Sequence, residues 1–400
     1  MALLHNYEEL CGLLAQNILE ELAAKHCGTR YSDYGQSAFR RYGHNPGSIR
    51  IGCEKLKVNV PRIQDRETKK AMNIPEYQEI KDREPPGDQL MRAVIQGLST
   101  NDYGGVAKLM AEEGFGLSAS SVSRKFVEES AKKLEEFQNR TLNNYNFIAL
   151  MVDGKHMREA QVVIALGITS EGRKVPLGFV QTDTENHTAI KGLLKDLVNR
   201  GFKYEEGLLA VIDGARGLFK AVKETFGDKV FVQRCTWHKR ENVLSYLNEE
   251  NSEKYKHRLQ SAYAEESEAE ARKKLETIGR ELKKINLSAY NSLQEGLEET
   301  LTLHKLEVPM SLRKSLLTTN PIESLNSQVG RYLRKVTSWH DSSQLHRWVA
   351  CALLEAEGRM KKISGFKEIP LLKEKIMNKL QENEAGKKKN STLEYPPGKS

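Results

Sequence analysis

Two aspartates, Asp153 and Asp213, each close an apolar run and are each followed by glycine, in ALMVDG and LAVIDG. A lone carboxylate, Glu323, stands in the otherwise uncharged stretch LTTNPIESLNSQV at 317–329. Taken singly, Asp-Gly after a strand is an ordinary turn signal. At matching places after two strands, the pair becomes a candidate cation site. Close carboxylates repel unless something positive lies between them, and Mg2+ prefers oxygen and takes one or two protein carboxylates. Two such ions roughly 4 Å apart activate an attacking hydroxyl and stabilise the leaving oxygen of a phosphodiester. A third carboxylate completes the second metal site, and Glu323 is the candidate. Its local sequence also reads as a near capping box, with Asn320 at the N-cap, Pro321 at N1 and Glu323 at N3.

The elements that must position these groups are legible over 145–250. YNFIALMVD reads as a strand ending in Asp153, EAQVVIALGIT as a second strand and KVPLGFVQT as a third. ENHTAIKGLLKDLVNRG is an amphipathic helix closed by Gly201. GLLAVID is a buried strand ending in Asp213, GARGLFKAVKETFG a helix, and KVFVQRC a fifth strand followed by a helix from about Trp237. The order is βββαβαβα, an α/β fold in which the first and fourth strands commonly lie side by side. Their carboxyl ends then present both aspartates at one sheet edge, where ligands of open α/β sheets collect.

Around this core, 241–315 is charged and helical and reads as an all-α insertion. A helix follows from Pro321 and another over Ser343–Lys362, and AGKKKNSTLEYPPGKS reads as a flexible tail. Residues 1–28 carry Leu13, Leu14, Ile18, Leu19 and Leu22 at helical spacing. KLKVNV alternates as a half-exposed strand, pairs with Ser48–Gly52 and is ended by Pro61. Between 87 and 140, two helices flank Glu113-Gly114-Phe115-Gly116, with Ser118 as the second N-cap. Ser120, Ser121, Ser123, Arg124 and Lys125 then stand on or near the outer side of that helix, which suits a DNA-binding helix-turn-helix. A plain helical hairpin linking domains has the same pattern.

YNFIALMVDGKH, LLAVIDGARGL, VQRCTWH and TTNPIESLN, in this order, resemble the Mutator-type bacterial insertion-sequence transposases. The resemblance extends over nearly the whole chain, including VNVPR, GLSTNDYGGVAKLM and LSASSVSRKF. It implies a ribonuclease H-like core with an Asp-Asp-Glu triad, interrupted by a helical insertion, and a circular, copy-out route. By motif the triad falls on Asp153, Asp213 and Glu323. The implied activity is cleavage at an element end and joining of the freed 3′-hydroxyl, with two Mg2+ or Mn2+ ions. The implied partners are terminal inverted repeats and target DNA, bound by at least a dimer. The chain departs from the family at Ile190, where Trp is frequent, and in GRYLRK, which is less densely basic. A structure-selective nuclease or resolvase on the same fold, and an inactive DNA-binding regulator, are the competing functions.

Other residues were candidates for the same chemistry. Cys235 and His238, spaced CxxH, are half a zinc site with no second pair. A buried Cys ending a strand and a His starting a helix is the plainer reading, and Trp237 between them reads as core, or as a base-stacking ring. Asp183 and Glu185 lie near a strand end and read as structural. Arg331, Arg334 and Lys335 form a basic face beyond Glu323 and read as phosphate contacts.

Composition agrees with a nucleic-acid partner. The 400 residues carry 62 Lys and Arg against 54 Asp and Glu, a net charge of +8. No apolar run of about 18 residues exists, so no membrane helix is expected. The N-terminus has no basic segment before an apolar stretch and does not read as a secretory signal. Five scattered cysteines without a CxxC pair read as reduced thiols. The expectation is a cytoplasmic, nucleoid-associated bacterial protein. Its expected domains are a helix and hairpin over 1–86, a helix-turn-helix over 87–140, a catalytic core at 141–240 and 316–364, the insertion, and a C-terminal helix and tail over 365–400.

Overall fold

The computed structural model describes residues 2–28, 37–51, 54–72, 119–157, 160–182, 186–334 and 338–393, with isolated positions elsewhere. They fall in two compact units, Met1–Lys132 and Lys133–Ser400.

In the first unit, helix α1 (Ala2–Cys27) precedes three antiparallel strands, β1 (Phe39–Ile51), β2 (Glu54–Asp65) and β3 (Ala71–Met72). The hairpin is longer than the sequence pattern predicts, because β2 continues through Pro61 to Asp65. The reason is a bulge. The register shifts between Arg41 and His44, so Tyr42 and Gly43 oppose Arg62 alone, and Gly43 takes φ +84°. Pro61 pairs with His44 beside this irregularity, where a ladder tolerates a missing N–H. Helix α1 buries Ala15, Leu19, Leu22 and Ala23 against Ile49, Val58 and Ile63. Leu13, Leu14 and Ile18, counted on the same face from the sequence, are exposed. The buried stripe is simply narrower than the apolar one. Most of the helix-turn-helix segment, including Ser118, lies outside the described residues. Its last helix, α2, spans Ala119–Asn139.

The second unit is built on β4 (Phe147–Met157), β5 (Ala160–Thr169), β6 (Lys174–Thr182), β7 (Leu208–Ile212) and β8 (Val230–Arg234), in the sheet order β6-β5-β4-β7-β8. The first three form an antiparallel meander, and β7 and β8 run parallel to β4. The helices are α3 (His187–Asn199), α4 (Arg216–Phe226), α5 (Thr236–Leu244), α6 (Glu249–Tyr263), α7 (Glu268–Ile285), α8 (Leu287–Gln294), α9 (Leu297–Thr300), α10 (Thr302–Lys305), α11 (Met310–Leu316), α12 (Asn320–Leu333), α13 (Ser342–Glu357) and α14 (Ile369–Leu393). Helix α14 enters the stretch read as a tail, because EAGKKKNSTL holds no proline to stop it before Pro396.

Alternate residues of the central strands go to opposite layers. Leu150, Val152, Leu208, Ala210 and Ile212 pack with Leu193, Leu197, Leu218 and Val222 of α3 and α4. Ala149, Met151, Leu209 and Val211 pack with Ile322, Leu325 and Val329 of α12, and with α13 and α14. Strands covered on both faces must be apolar throughout, which is why these runs show no alternation. A separate apolar cluster runs from Val243 to Leu301 through α6, α7 and α8. Leu303 to Leu317 belong instead to the layer on the sheet.

Buried Arg313 joins these two clusters. Its guanidinium donates to Val308 O at 2.9 Å, Glu265 O at 2.7 Å and Glu266 O at 3.0 Å. Arg313→Met leaves three carbonyls without that donor and is expected to cost about 2–3 kcal/mol in urea unfolding of the full chain. An unchanged midpoint would show the bridge to be dispensable.

Candidate active site

Strands β4 and β7 pair in parallel as Ala149↔Leu209, Leu150↔Ala210, Met151↔Val211 and Val152↔Ile212. The next step on each is Asp153 and Asp213. Both continue the odd-numbered series that faces the layer containing α12. Strand β4 does not end at Asp153 as the apolar run predicts. It continues to Met157, still paired with β5 from Gly154↔Val163 to Met157↔Ala160. The apolar run stops because β7 stops, and Lys155 and His156 beyond it are exposed. Asp153 therefore sits inside a strand, 9% exposed, where its parallel neighbour runs out. Asp213 begins the turn into α4, and its Oδ1 accepts from Ala215 N–H at 2.9 Å.

Glu323 enters from α12, whose start is one residue earlier than expected. Thr319 is the N-cap, Asn320 is N1 and Pro321 is N2. No capping box closes. Asn320 N–H donates to Thr318 Oγ1 at 3.4 Å, and Thr319 N–H donates to Cys235 Sγ at 3.4 Å. Glu323 instead accepts the Thr319 hydroxyl proton, Oγ1 to Oε1 2.6 Å. One turn on, Asn326 Nδ2 donates to Asp153 Oδ2 at 2.7 Å. Asn326 is 2% exposed, and its Oδ1 has no partner among the described residues.

The electrostatics connect all three carboxylates. Burial, then the charge of Asp213, with Glu323 adding, pushes the Asp153 carboxyl from the ordinary 3.8 up to about 6. Its hydrogen bond from Asn326 and the nearby His238 act the other way. The His238 ring is raised to about 9, first by its hydrogen bond with Cys235 and against burial, with Glu323 and Asp213 contributing. Burial pushes the Cys235 thiol up, but hydrogen bonds from His238 and Thr319 outweigh it. An all-oxygen anionic set, with one carboxyl driven toward protonation by burial and then by its neighbours, is what a hard divalent cation takes up.

Residues 5–362 match the family model described as "Transposase, Mutator family". The chain belongs to the Mutator family of transposases. It is 28% identical over 268 residues to the transposase for insertion sequence element IS6120 of Mycolicibacterium smegmatis, covering 66% of this chain and 81% of that protein. It is 28% identical over 345 residues to that for ISRM5 of Rhizobium meliloti, covering 84% and 80%. To that for IS905 of Lactococcus lactis it is 25% identical over 334 residues, covering 79% and 81%.

Other residues singled out from the sequence of this Mutator-family transposase fall as follows. Trp237 is 41% exposed, so it is not core; its ring stands edge-on to His238 with centroids 4.8 Å apart. Cys235 is buried, and the ligand atoms of Cys235, His238 and Glu323 all lie within 4.8 Å of one another. On α2, Ser123 and Arg124 are exposed, while Lys125 pairs with Glu128 and Glu129, each at 3.4 Å. Ser120 and Ser121 lie in its first turn. Arg331 and Arg334 are exposed at the end of α12, and Lys335, Asp183 and Glu185 are outside the described residues. Among the described residues no helix is long and apolar enough to cross a membrane. Thr319 and Asn326 escaped the sequence reading. They stand four before and three after Glu323, on its own helical face, which was the available signal.

Asp153 gives a pH prediction. Its folded pKa lies above the ordinary value, so ionising it opposes folding. The cost is absent below about pH 4 and complete above about pH 6, worth about 3 kcal/mol. In chelator at pH 8, Asp153→Asn is expected to raise the unfolding free energy by about 2–3 kcal/mol, with the gain gone at pH 4. Equal stabilities at both pH values would refute the strained carboxylate.

Proposed function

We propose that the chain is an Asp-Asp-Glu DNA transposase with a ribonuclease H-like core. In this reading the βββαβαβα elements over 141–240, with 316–364, carry the chemistry; the insertion expected over 241–315 is the separate cluster from Val243 to Leu301, since Leu303 to Leu317 pack on the sheet. The observation that carries it is the equal register of Asp153 and Asp213 facing the helix of Glu323, with Asp153 raised by both charges. Asp153, Asp213 and Glu323 would hold two Mg2+ or Mn2+ ions. When bound, such ions activate the attacking oxygen and offset charge on the leaving oxygen.

The protein's own groups orient and bind. Asn326 fixes the rotamer of Asp153, and the Ala215 N–H fixes that of Asp213. His238 brings positive charge to the same cluster. Arg331 and Arg334, exposed beyond Glu323 on its helix, contact phosphates. Trp237, exposed beside His238, stacks on a base near the cut. Ser123 and Arg124 belong to the helix that reads the terminal repeat. Water attacks at the element end, and the 3′-hydroxyl then attacks target DNA in line. Two ends must be held together, so the DNA-bound form is at least a dimer.

The test incubates labelled element ends with a target plasmid and Mg2+. The full chain is expected to yield cut and joined products. Glu323→Gln retains end binding and loses cleavage by roughly 100-fold or more. Cut ends that never join would favour a nuclease, and unchanged cleavage by Glu323→Gln would falsify the role of Glu323.

A further inference from the structure

The Cys235, His238 and Glu323 cluster has the composition of a soft-metal site, but its centre is filled. Thr319 Oγ1 lies 2.6 Å from Glu323 Oε1, 3.3 Å from Cys235 Sγ and 3.3 Å from His238 Nδ1. An ion bonded to all three would have to take the place of this hydroxyl, because metal–ligand bonds here run roughly 2.0–2.3 Å. Thr319 is fully buried, so its hydroxyl has no solvent alternative.

A hydroxyl has one proton to give. The shortest contact, to a carboxylate, takes it. His238 Nδ1 lies 3.3 Å from the Thr319 oxygen and donates to it when that nitrogen carries the proton, and the Thr319 backbone N–H goes to Cys235 Sγ at 3.4 Å. That last bond changes what Glu323 can do. In a capping box an acidic side chain in the first turn reaches back to the N-cap N–H. Here the N-cap N–H is satisfied by sulfur from another element. Cys235 is itself fixed, since its own N–H donates to Ile212 O at 2.7 Å, one residue before Asp213. Thr236 N–H also donates to Leu317 O at 2.9 Å. The end of β7 and the start of α12 are thus tied through one cysteine.

We propose that Thr319 is a positioning residue that holds one Glu323 oxygen and aims the carboxylate at the aspartates, with Cys235 and His238 holding Thr319. The inference deepens the proposed function and rests on Glu323 being catalytic. The CxxH pair acts as the outside cap of the helix that delivers the third carboxylate.

Thr319→Val keeps the shape and removes the hydroxyl, whereas Thr319→Ser keeps the donor. With full chain on an element-end duplex, Thr319→Val is expected to cut roughly 10- to 100-fold more slowly, and Thr319→Ser to stay within about threefold. Mn2+ binding to the DNA-free chain, followed by electron paramagnetic resonance, is expected to weaken about tenfold in Thr319→Val only. End binding in chelator is expected to match wild type in both, with the melting midpoint unchanged in Thr319→Ser and lowered by a few degrees, still well above assay temperature, in Thr319→Val. Wild-type cutting and Mn2+ affinity in Thr319→Val, beside an inactive Glu323→Gln control, overturn the inference and leave the carboxylate reading standing. Normal cutting by Glu323→Gln overturns both. A Cd2+–thiolate absorption band that vanishes in Cys235→Ala also overturns it, because the ion would then occupy the place of the hydroxyl.

Discussion

The zero-offset parallel pairing of β4 with β7 is the constraint on which the site depends. Side chains alternate with period two, so a slip of one residue would send Asp213 to the opposite layer, among the leucines of α3 and α4. With the pairing as it is, each aspartate is the step after the last pair, on the alternation of Met151 and Val211, and Asp153 accepts from Asn326 of α12. Parallel neighbours need a long connection, and β5, β6 and α3 supply it. That connection also puts β4 in the middle of the sheet, flanked by β5 and β7. A buried centre is a hostile place for a carboxylate, and this is the origin of the raised Asp153.

Positive side chains are spent elsewhere, on attachment. Arg234 donates to Gly214 O and to Glu295 O, each at 2.9 Å. Lys239 Nζ donates to Ser292 O at 2.5 Å and Glu295 O at 2.6 Å, and burial lowers it to about 8. Gly214, at φ +102°, must be glycine, because a Cβ would lie 1.9 Å from Arg234 Nε. The turn after Asp213 is therefore pinned to the helical cluster that separates Asp213 from Glu323 in sequence. These two cations are held by backbone carbonyls, so His238 is the positive group coupled to the carboxylates.

Much of this was readable beforehand. The run of strands and helices from Phe147 to Leu244 follows the apolar periods and the glycine stops. What failed had a common cause. The apolar run ends at Asp153 and reads as a strand end, but the ladder with β5 needs no apolar side chains. Pro61 reads as a stop because a bulge cannot be seen in one strand alone. Trp237 was assigned to the core by residue type, which says nothing about which way a first-turn side chain points. Thr319 and Asn326 lie on the helical face of Glu323, but their partners Cys235 and Asp153 are 84 and 173 residues away, and no spacing points to those.

The layer order has a consequence for how the protein is made. The sheet face that carries Ala149, Met151, Leu209 and Val211 is covered by Phe137 of α2 and, for the most part, by residues from Leu303 onward. The third carboxylate and most of that cover are thus synthesised together, after both aspartates. A ribosome-bound chain that stops before residue 303 has all five strands but one bare apolar face, so it cannot settle into a stable sheet. A chain cut there would lack both Glu323 and the helices that cover that face of its sheet.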